Sequence, residues 1–323
     1  MDMKSVKKLY ISILSFVVTI IVFGTVSYAW ISVATTYNIE GLSIQASSGN
    51  ELQISIDGIH FANRLPAVEI EEIFRDIRLY DVTSMDGVNF YTGGLRPVAT
   101  AHPGEHYLSF DLWLRTVRLE HHVYLINDVS KQMTFDDNME GTYFISQGVV
   151  WTNRIGFFNG PTLDDFVQPN TTARYFATEA IRISVVELVD DMNSLDIRNS
   201  ENLRRFIYDP SGNPYRGFGV GIGAYSYFTN QAGLFLTMPE DKPNTSYRLS
   251  EVDRFDPYQA LDNESHVATL QMTDEVDNLG RTYYRAKIRV NIWVEGWDAD
   301  AFDAIHKDMV KIQLQFKALN AAV

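Results

Sequence analysis

Apolar and polar side chains alternate with a period of two along most of this chain. Near its C-terminal end, Ile288, Val290, Ile292 and Val294 alternate with Arg289, Asn291 and Trp293. Val310, Ile312, Leu314 and Phe316 then alternate with Lys311, Gln313, Gln315 and Lys317. Successive side chains of a strand point to opposite faces, so each run predicts a strand with one buried side. Comparable runs lie at 42–46, 52–56, 107–115, 122–126, 148–155, 181–188, 217–227 and 266–272. Many strands joined by turns, without regularly intervening helices, predict an all-β antiparallel sandwich. Helical spacing is confined to insertions. Residues 68–79 put Ile70, Ile73, Phe74 and Ile77 on one face, and shorter helical candidates lie at 202–207 and 299–306.

Ahead of the alternating pattern, residues 9–30 form an uncharged apolar run behind Lys4, Lys7 and Lys8. With small residues at Ser27 and Ala29, this predicts an export signal cut between Ala29 and Trp30. A run of this length also reaches the roughly 20 residues of a membrane span, so an uncleaved hydrophobic anchor helix is the competing reading. Either way the remainder works outside the cytoplasm, extracellular or at the cell surface, and meets the membrane only through this segment. The predicted organisation is 1–29 as signal or anchor and 30–323 as one β-sandwich domain, with insertions near 62–85 and 189–215.

The formal charge is −14 and becomes −16 without residues 1–29, which carry Lys4, Lys7 and Lys8 against Asp2. Such a surface repels nucleic acid and anionic lipid. Cysteine is absent, so neither disulfides nor thiolate metal sites hold the fold, and packing must.

Two segments share the pattern D-G-x-polar-F: Asp57-Gly58-Ile59-His60-Phe61 and Asp86-Gly87-Val88-Asn89-Phe90. Asp-Gly supplies the positive φ of a tight turn, so both read as turns rather than ligand sites. His102-Pro103-Gly104-Glu105-His106 matches the H-x-x-E-H string of some zinc peptidases, but that chemistry needs a helix to align the two histidines, and Pro103 and Gly104 interrupt one. Adjacent His121 and His122 would face opposite sides of a strand. Asp298, Asp300 and Asp303 are the candidate calcium ligands, in a loop without the order of an EF-hand; helix capping by Asp298 is the competing reading. Alternating Gly217, Gly219, Gly221 and Gly223 read as the bare face of a strand. No G-x-S-x-G, P-loop or H-E-x-x-H occurs, and no catalytic or cofactor-binding set stands out.

The sequence also carries a resemblance. It rests on Ser27-Tyr28-Ala29-Trp30, on Leu52-Gln53-Ile54-Ser55-Ile56-Asp57-Gly58, and on Pro103-Gly104-Glu105 leading into Phe110-Asp111-Leu112-Trp113-Leu114-Arg115. Ala180-Ile181-Arg182-Ile183-Ser184 and Ile292-Trp293-Val294-Glu295-Gly296-Trp297-Asp298 complete it. These segments look like secreted surface proteins of Firmicutes and relatives, and the chain is distantly similar to the TasA and camelysin family of biofilm-matrix proteins. The resemblance implies processing by a dedicated signal peptidase, a jelly-roll fold, and fibres assembled by strand donation. The first mature strand, from Thr36 through Tyr37 and Ile39 with Gly41 as a bulge, is then the candidate donor. The expectation is a non-enzymatic surface or matrix structural protein that associates with itself or with other surface proteins. The alternative is a carbohydrate- or ligand-binding module, for which 41 aromatic residues offer contact surfaces.

Overall fold

The two alternations near the C-terminal end become the two longest strands, of 14 and 11 residues. The computed structural model describes residues 13–16, 37–47, 52–66, 68–70, 78–92, 99–127, 134–136, 140–160, 162–218, 222–232 and 241–322. The chain divides into Met1–Thr35 and Thr36–Val323. In the first unit, residues 13–16 form a helical turn whose Ile13, Leu14 and Phe16 are exposed. Among the described residues no helix is long and apolar enough to cross a membrane. Ala29, Trp30 and Thr36 lie outside the described residues.

The second unit is mostly β. Its strands are β1 (Tyr37–Ala46), β2 (Gln53–Ser55), β3 (Arg78–Leu79), β4 (Asp81–Thr83), β5 (Tyr91–Thr92), β6 (Ala99–Thr100), β7 (Leu108–Thr116), β8 (His122–Leu125), β9 (Tyr143–Ser146) and β10 (Val149–Thr152). They continue with β11 (Phe157–Phe158), β12 (Phe166–Val167), β13 (Thr172–Tyr175), β14 (Ile181–Leu188), β15 (Arg205–Tyr208), β16 (Thr245–Ser246), β17 (His266–Thr269), β18 (Gln271–Val276), β19 (Thr282–Glu295) and β20 (Met309–Leu319).

One sheet runs β17-β8-β20-β1-β3, with β9 also on β20. The other is centred on β19, which pairs antiparallel with β14 from Ile181↔Val294 to Leu188↔Lys287 and with β7 from Leu108↔Ile292 to Thr116↔Tyr284. Alternation explains the core. Leu108, Leu112 and Leu114 of β7, Ile288, Val290 and Ile292 of β19, and Ile181, Ile183 and Val185 of β14 form one apolar cluster with Ile44 of β1 and Ile312, Leu314 and Phe316 of β20. Each such side chain contributes on the order of 1.5–3 kcal/mol relative to exposure.

The sheets are mixed rather than antiparallel. β1 lies parallel to β20 from Asn38↔Met309 to Ala46↔Phe316, with a register shift between Ile39 and Gly41 at the expected bulge. β4 is parallel to β19, and β16 to β15. A period of two states which side chains share a face and carries no strand direction, so the pattern alone could not distinguish these pairings.

The helical expectations are corrected as well. Residues 68–70 are helical, but Arg78 and Leu79 form β3 against Tyr37 and Asn38; Ile73, Phe74 and Ile77 lie outside the described residues. Residues 202–207 are the end of a 3₁₀ turn, Ser200–Asn202, followed by β15, which adds a strand to the second sheet. Residues 299–306 contain only the 3₁₀ turn Asp303–Ile305. Conversely, the expected glycine-faced strand at 217–227 gives way to the helix Ile222–Ala232, whose Tyr227 packs against Phe157 and Phe302 in a separate aromatic cluster. Gly223 lies within that helix, whereas Gly219 and Gly221 lie outside the described residues.

Candidate functional site

The two Asp-Gly segments share one frame of backbone hydrogen bonds. In the first, the backbone N–H groups of Ile59 and His60 donate to Asp57 Oδ1 (2.8 Å each), His60 Nδ1 lies 2.6 Å from Asp57 Oδ2, and Gly58 N–H donates to Ser55 Oγ (2.9 Å). In the second, Val88 and Asn89 N–H donate to Asp86 Oδ1 (2.9 and 2.8 Å), Asn89 Nδ2 donates to Asp86 Oδ2 (2.7 Å), and Gly87 N–H donates to Ser84 Oγ (3.0 Å). Both glycines take positive φ, +72° and +69°. The carboxylate lone pairs are therefore spent inside each turn. His60 donors, the side chain first, hold Asp57 well below the usual carboxylate range, and Asp57 in turn raises His60.

Both loops fold over the outer face of the β19 sheet. A side chain on Gly58 would come within 2.6 Å of Met192 Sδ and 3.1 Å of the Trp113 ring; one on Gly87 would come within 2.7 Å of Ser184 Cβ. Ser184 Oγ and Asn291 Nδ2 donate to the Gly87 carbonyl at 2.7 and 3.1 Å. Phe61 lies under the Arg115 guanidinium at 4.0 Å, whereas Phe90 stacks on Tyr107 at 4.2 Å and meets Trp293 edge-on at 5.1 Å. Sequence reading found the Asp-Gly-x-x-Phe frame and missed the serine two residues before each aspartate, although that serine recurs.

Beside the second loop, part of this face stays open as a groove of about 430 Å³. Its floor holds an Asp111–Arg289 pair (2.7 and 3.1 Å) and a Ser109–Asn291 hydrogen bond (2.7 Å), and Val88, Pro103 and Tyr107 line it with Val186 and Leu188. Lys287, next along β19, bonds Asp191 at 2.8 Å. The Asp111 hydrogen bond raises Arg289, and burial raises the Tyr107 hydroxyl. Polar and apolar side chains thus meet in one groove, which suits a small ligand that carries both hydroxyls and apolar surface.

The carboxylates of the acidic loop have partners within the chain. Asp298 pairs with Arg182, which is 2% exposed and also lies 2.7 Å from Asp209; Asp300 pairs with Arg216; Asp303 accepts from the Tyr227 hydroxyl at 2.9 Å. The three carboxylates thus go to three partners. Among the described residues no group of three or more histidines and carboxylates is placed to hold a metal. Asp298 does not cap a helix either: its Oδ1 accepts from Asp300 N–H at 2.8 Å in a turn. Burial pushes Asp298 well up, with Arg182 opposing, and pushes Glu179 up to about 7 with help from Asp300 and Asp209. Arg182 lies on β14, far away in sequence, and no local pattern announces it.

His102 and His106 sit in a turn closed by Gly104 N–H to the Tyr107 carbonyl (2.9 Å), with His106 Nδ1 accepting from His102 N–H (3.0 Å). His121 and His122 diverge, as a strand requires. His121 stacks on Tyr284 at 3.9 Å, and His122 Nδ1 lies 3.2 Å from His266 Nε2. Tyr37 and Ile39, the described candidate donor residues, are in β1, within their own sheet. The outer side of β1 meets β3 at Tyr37 and Asn38 and, further along, residues 62–65 through Gln45↔Arg64 and Leu65 N–H to the Ile44 carbonyl (3.2 Å).

Neither protein families, nor curated proteins, nor solved structures give a match to this chain.

Proposed function

We propose that this protein is a non-enzymatic extracellular subunit of a cell surface or matrix, exported through residues 1–29 and folded as a jelly-roll-like sandwich. In this reading copies associate by exchanging β1. The supporting observation is the place of β1. It is the first strand after the apolar segment, and it is held by parallel pairing with the C-terminal strand β20 rather than by a hairpin. The β1 of another copy offers the same Ile39, Leu42 and Ile44 to the same core and the same ladder to β20. Exchange thus replaces like with like, and head-to-tail repetition of it does not close, which yields a filament.

The chain contains no cysteine, so a clean lock can be introduced. Gly41 and Lys311 are register partners, and a side chain on Gly41 would lie 3.7 Å from Lys311 Cγ. In a Gly41→Cys, Lys311→Cys variant, oxidation within each copy is expected to prevent filaments seen by electron microscopy, and reduction to restore them. Oxidation of preformed filaments is expected to give intermolecular ladders on a denaturing gel. Filaments from fully intramolecularly cross-linked protein would overturn strand exchange, and monodisperse unmodified protein would overturn the fibre reading. N-terminal sequencing of surface-extracted protein is expected to start at Trp30; intact Met1 or Asp2 would favour the anchor.

The groove beside Val88 supports a second reading, a glycan-binding module. Arg289→Ala is expected to weaken any saccharide bound there by roughly tenfold, since it removes a bidentate pair from the floor. Titration of the wild type and the variant with the same sugar decides it.

A further inference from the structure

On the far side of β14 from β19, the second sheet ends in β15 and the short parallel β16, with Ile207 opposite Thr245. Between this edge and the segment leading into β17 lies a second cleft, of about 310 Å³, whose lining includes Arg204, Arg205, Asn244, Ser246, Asn263 and His266. Its charged groups are unequally satisfied. Glu264, on one wall, is engaged by Arg248 (3.2 Å) and Ser246 Oγ (3.1 Å), and Arg248 also holds Asp262 at 2.9 Å. Arg205 lies 3.8 Å from Asp86, a loose contact. The Arg204 main-chain N–H is fixed to Glu187 at 3.2 Å, while its guanidinium, exposed to the cleft, has no hydrogen bond or ion pair among the described residues.

The potential here is felt by neighbouring groups. Burial, then Arg204 and then His122 push His266 down to about 4, and Arg204 acts in the same direction on His122. In a chain of net charge −14, an exposed guanidinium without a partner among the described residues, with Arg205 next to it, makes this cleft a local concentration of positive charge. Asn244 and Thr245 add amide and hydroxyl groups to the lining.

We propose that this cleft binds an oxyanion carried by a small extracellular saccharide, with Arg204 as the principal contact and Arg205 beside it. A guanidinium presents two parallel N–H donors that match a carboxylate, sulfate or phosphate group. Asn244 and Thr245 then hydrogen-bond the sugar's hydroxyls. The site is separate from the groove beside Val88 and independent of whether β1 is exchanged.

The test is calorimetric titration of the full-length chain in mild detergent at low ionic strength, with sodium sulfate and sodium glucuronate as probes. Both keep their charge between pH 5 and 8. Saturable binding of at least one probe is expected, with about tenfold weakening in Arg204→Ala, as loss of a charge-assisted pair implies. Tighter glucuronate binding identifies uronate sugars as the source, and tighter sulfate binding identifies sulfated or phosphorylated ones. Arg204 is on the surface, so the variant keeps its fold, which circular dichroism checks. Absence of saturable heat with both probes, or an Arg204→Ala affinity within about twofold of the wild type, would overturn the proposal.

Discussion

The loops at 57–61 and 86–90 share one hydrogen-bonded skeleton and differ in what they rest on. The first places Gly58 against Met192 Sδ, the end of a flexible side chain, and lays a half-buried Phe61 under Arg115. The second places Gly87 against Ser184 Cβ, fixed to the central strand β14, and sinks Phe90 to 4% exposure between Tyr107 and Trp293. Local sequence thus makes two equal turns, and the surface beneath makes one a structural rivet and the other a looser clasp.

The contrast can be broken most forcefully at the phenylalanines. Phe90→Ala removes a buried ring and is expected to cost about 3–5 kcal/mol. Phe61→Ala, losing partial burial and a cation–π contact, is expected to cost about 1 kcal/mol. Chemical denaturation of both variants measures the gap; equal losses would show that the two loops carry the same load. The glycines come next. Each alanine there meets a positive φ, and Gly87→Ala also drives its methyl into β14, for about 2–4 kcal/mol in all. Gly58→Ala is expected to cost less, about 1–2 kcal/mol, because Met192 can turn aside. A ranking with Gly58 the more sensitive would mean that the nearby Trp113 ring, not Met192, sets the limit.

The smallest effect is one of pH. Asp57 raises His60 above its ordinary 6.5, so the folded loop binds the proton more tightly than the unfolded chain. That contribution is fully present below pH 6.5 and is lost as pH rises through the higher folded value. The second loop has Asn89 in the same place and carries no such dependence. Proton NMR of His60 should therefore give a pKa above 6.5 that returns toward 6.5 in Asp57→Asn. Amide exchange at 57–61, but not at 86–90, should quicken above that pKa more than its intrinsic rate. His60→Asn should make the first loop as indifferent to pH as the second; a wild-type His60 titrating at or below 6.5 would contradict the pairing.

The strands β7, β14, β19 and β20 were legible because each has a run of apolar residues at alternate positions long enough to exclude a helical period. Both Asp-Gly turns were legible because the dipeptide states its own φ. By contrast, the helix at 222–232 was hidden behind its preceding glycines, and β3 and β15 were too short to outweigh helical spacing around them. The arrangement at Asp298 was not legible at all. Its partner Arg182 comes from the strand across the sheet, and a cluster of acids reads the same whether a metal or an arginine neutralises it.

Sequence by itself determined the class of the molecule: a β scaffold without cysteine, an apolar N-terminal run, a net negative charge and two self-contained turns. Each follows from composition or from contacts a few residues long. Tertiary structure alone decided that β1 runs parallel to β20, that a side chain on Gly87 would meet β14 while one on Gly58 would meet Met192 and Trp113, and that Asp298 and Asp300 answer arginines. It also left Arg204, among the described residues, without a hydrogen bond or ion pair to its guanidinium. These depend on which distant segments meet, and alternation encodes the face a residue takes without encoding the neighbour it finds there.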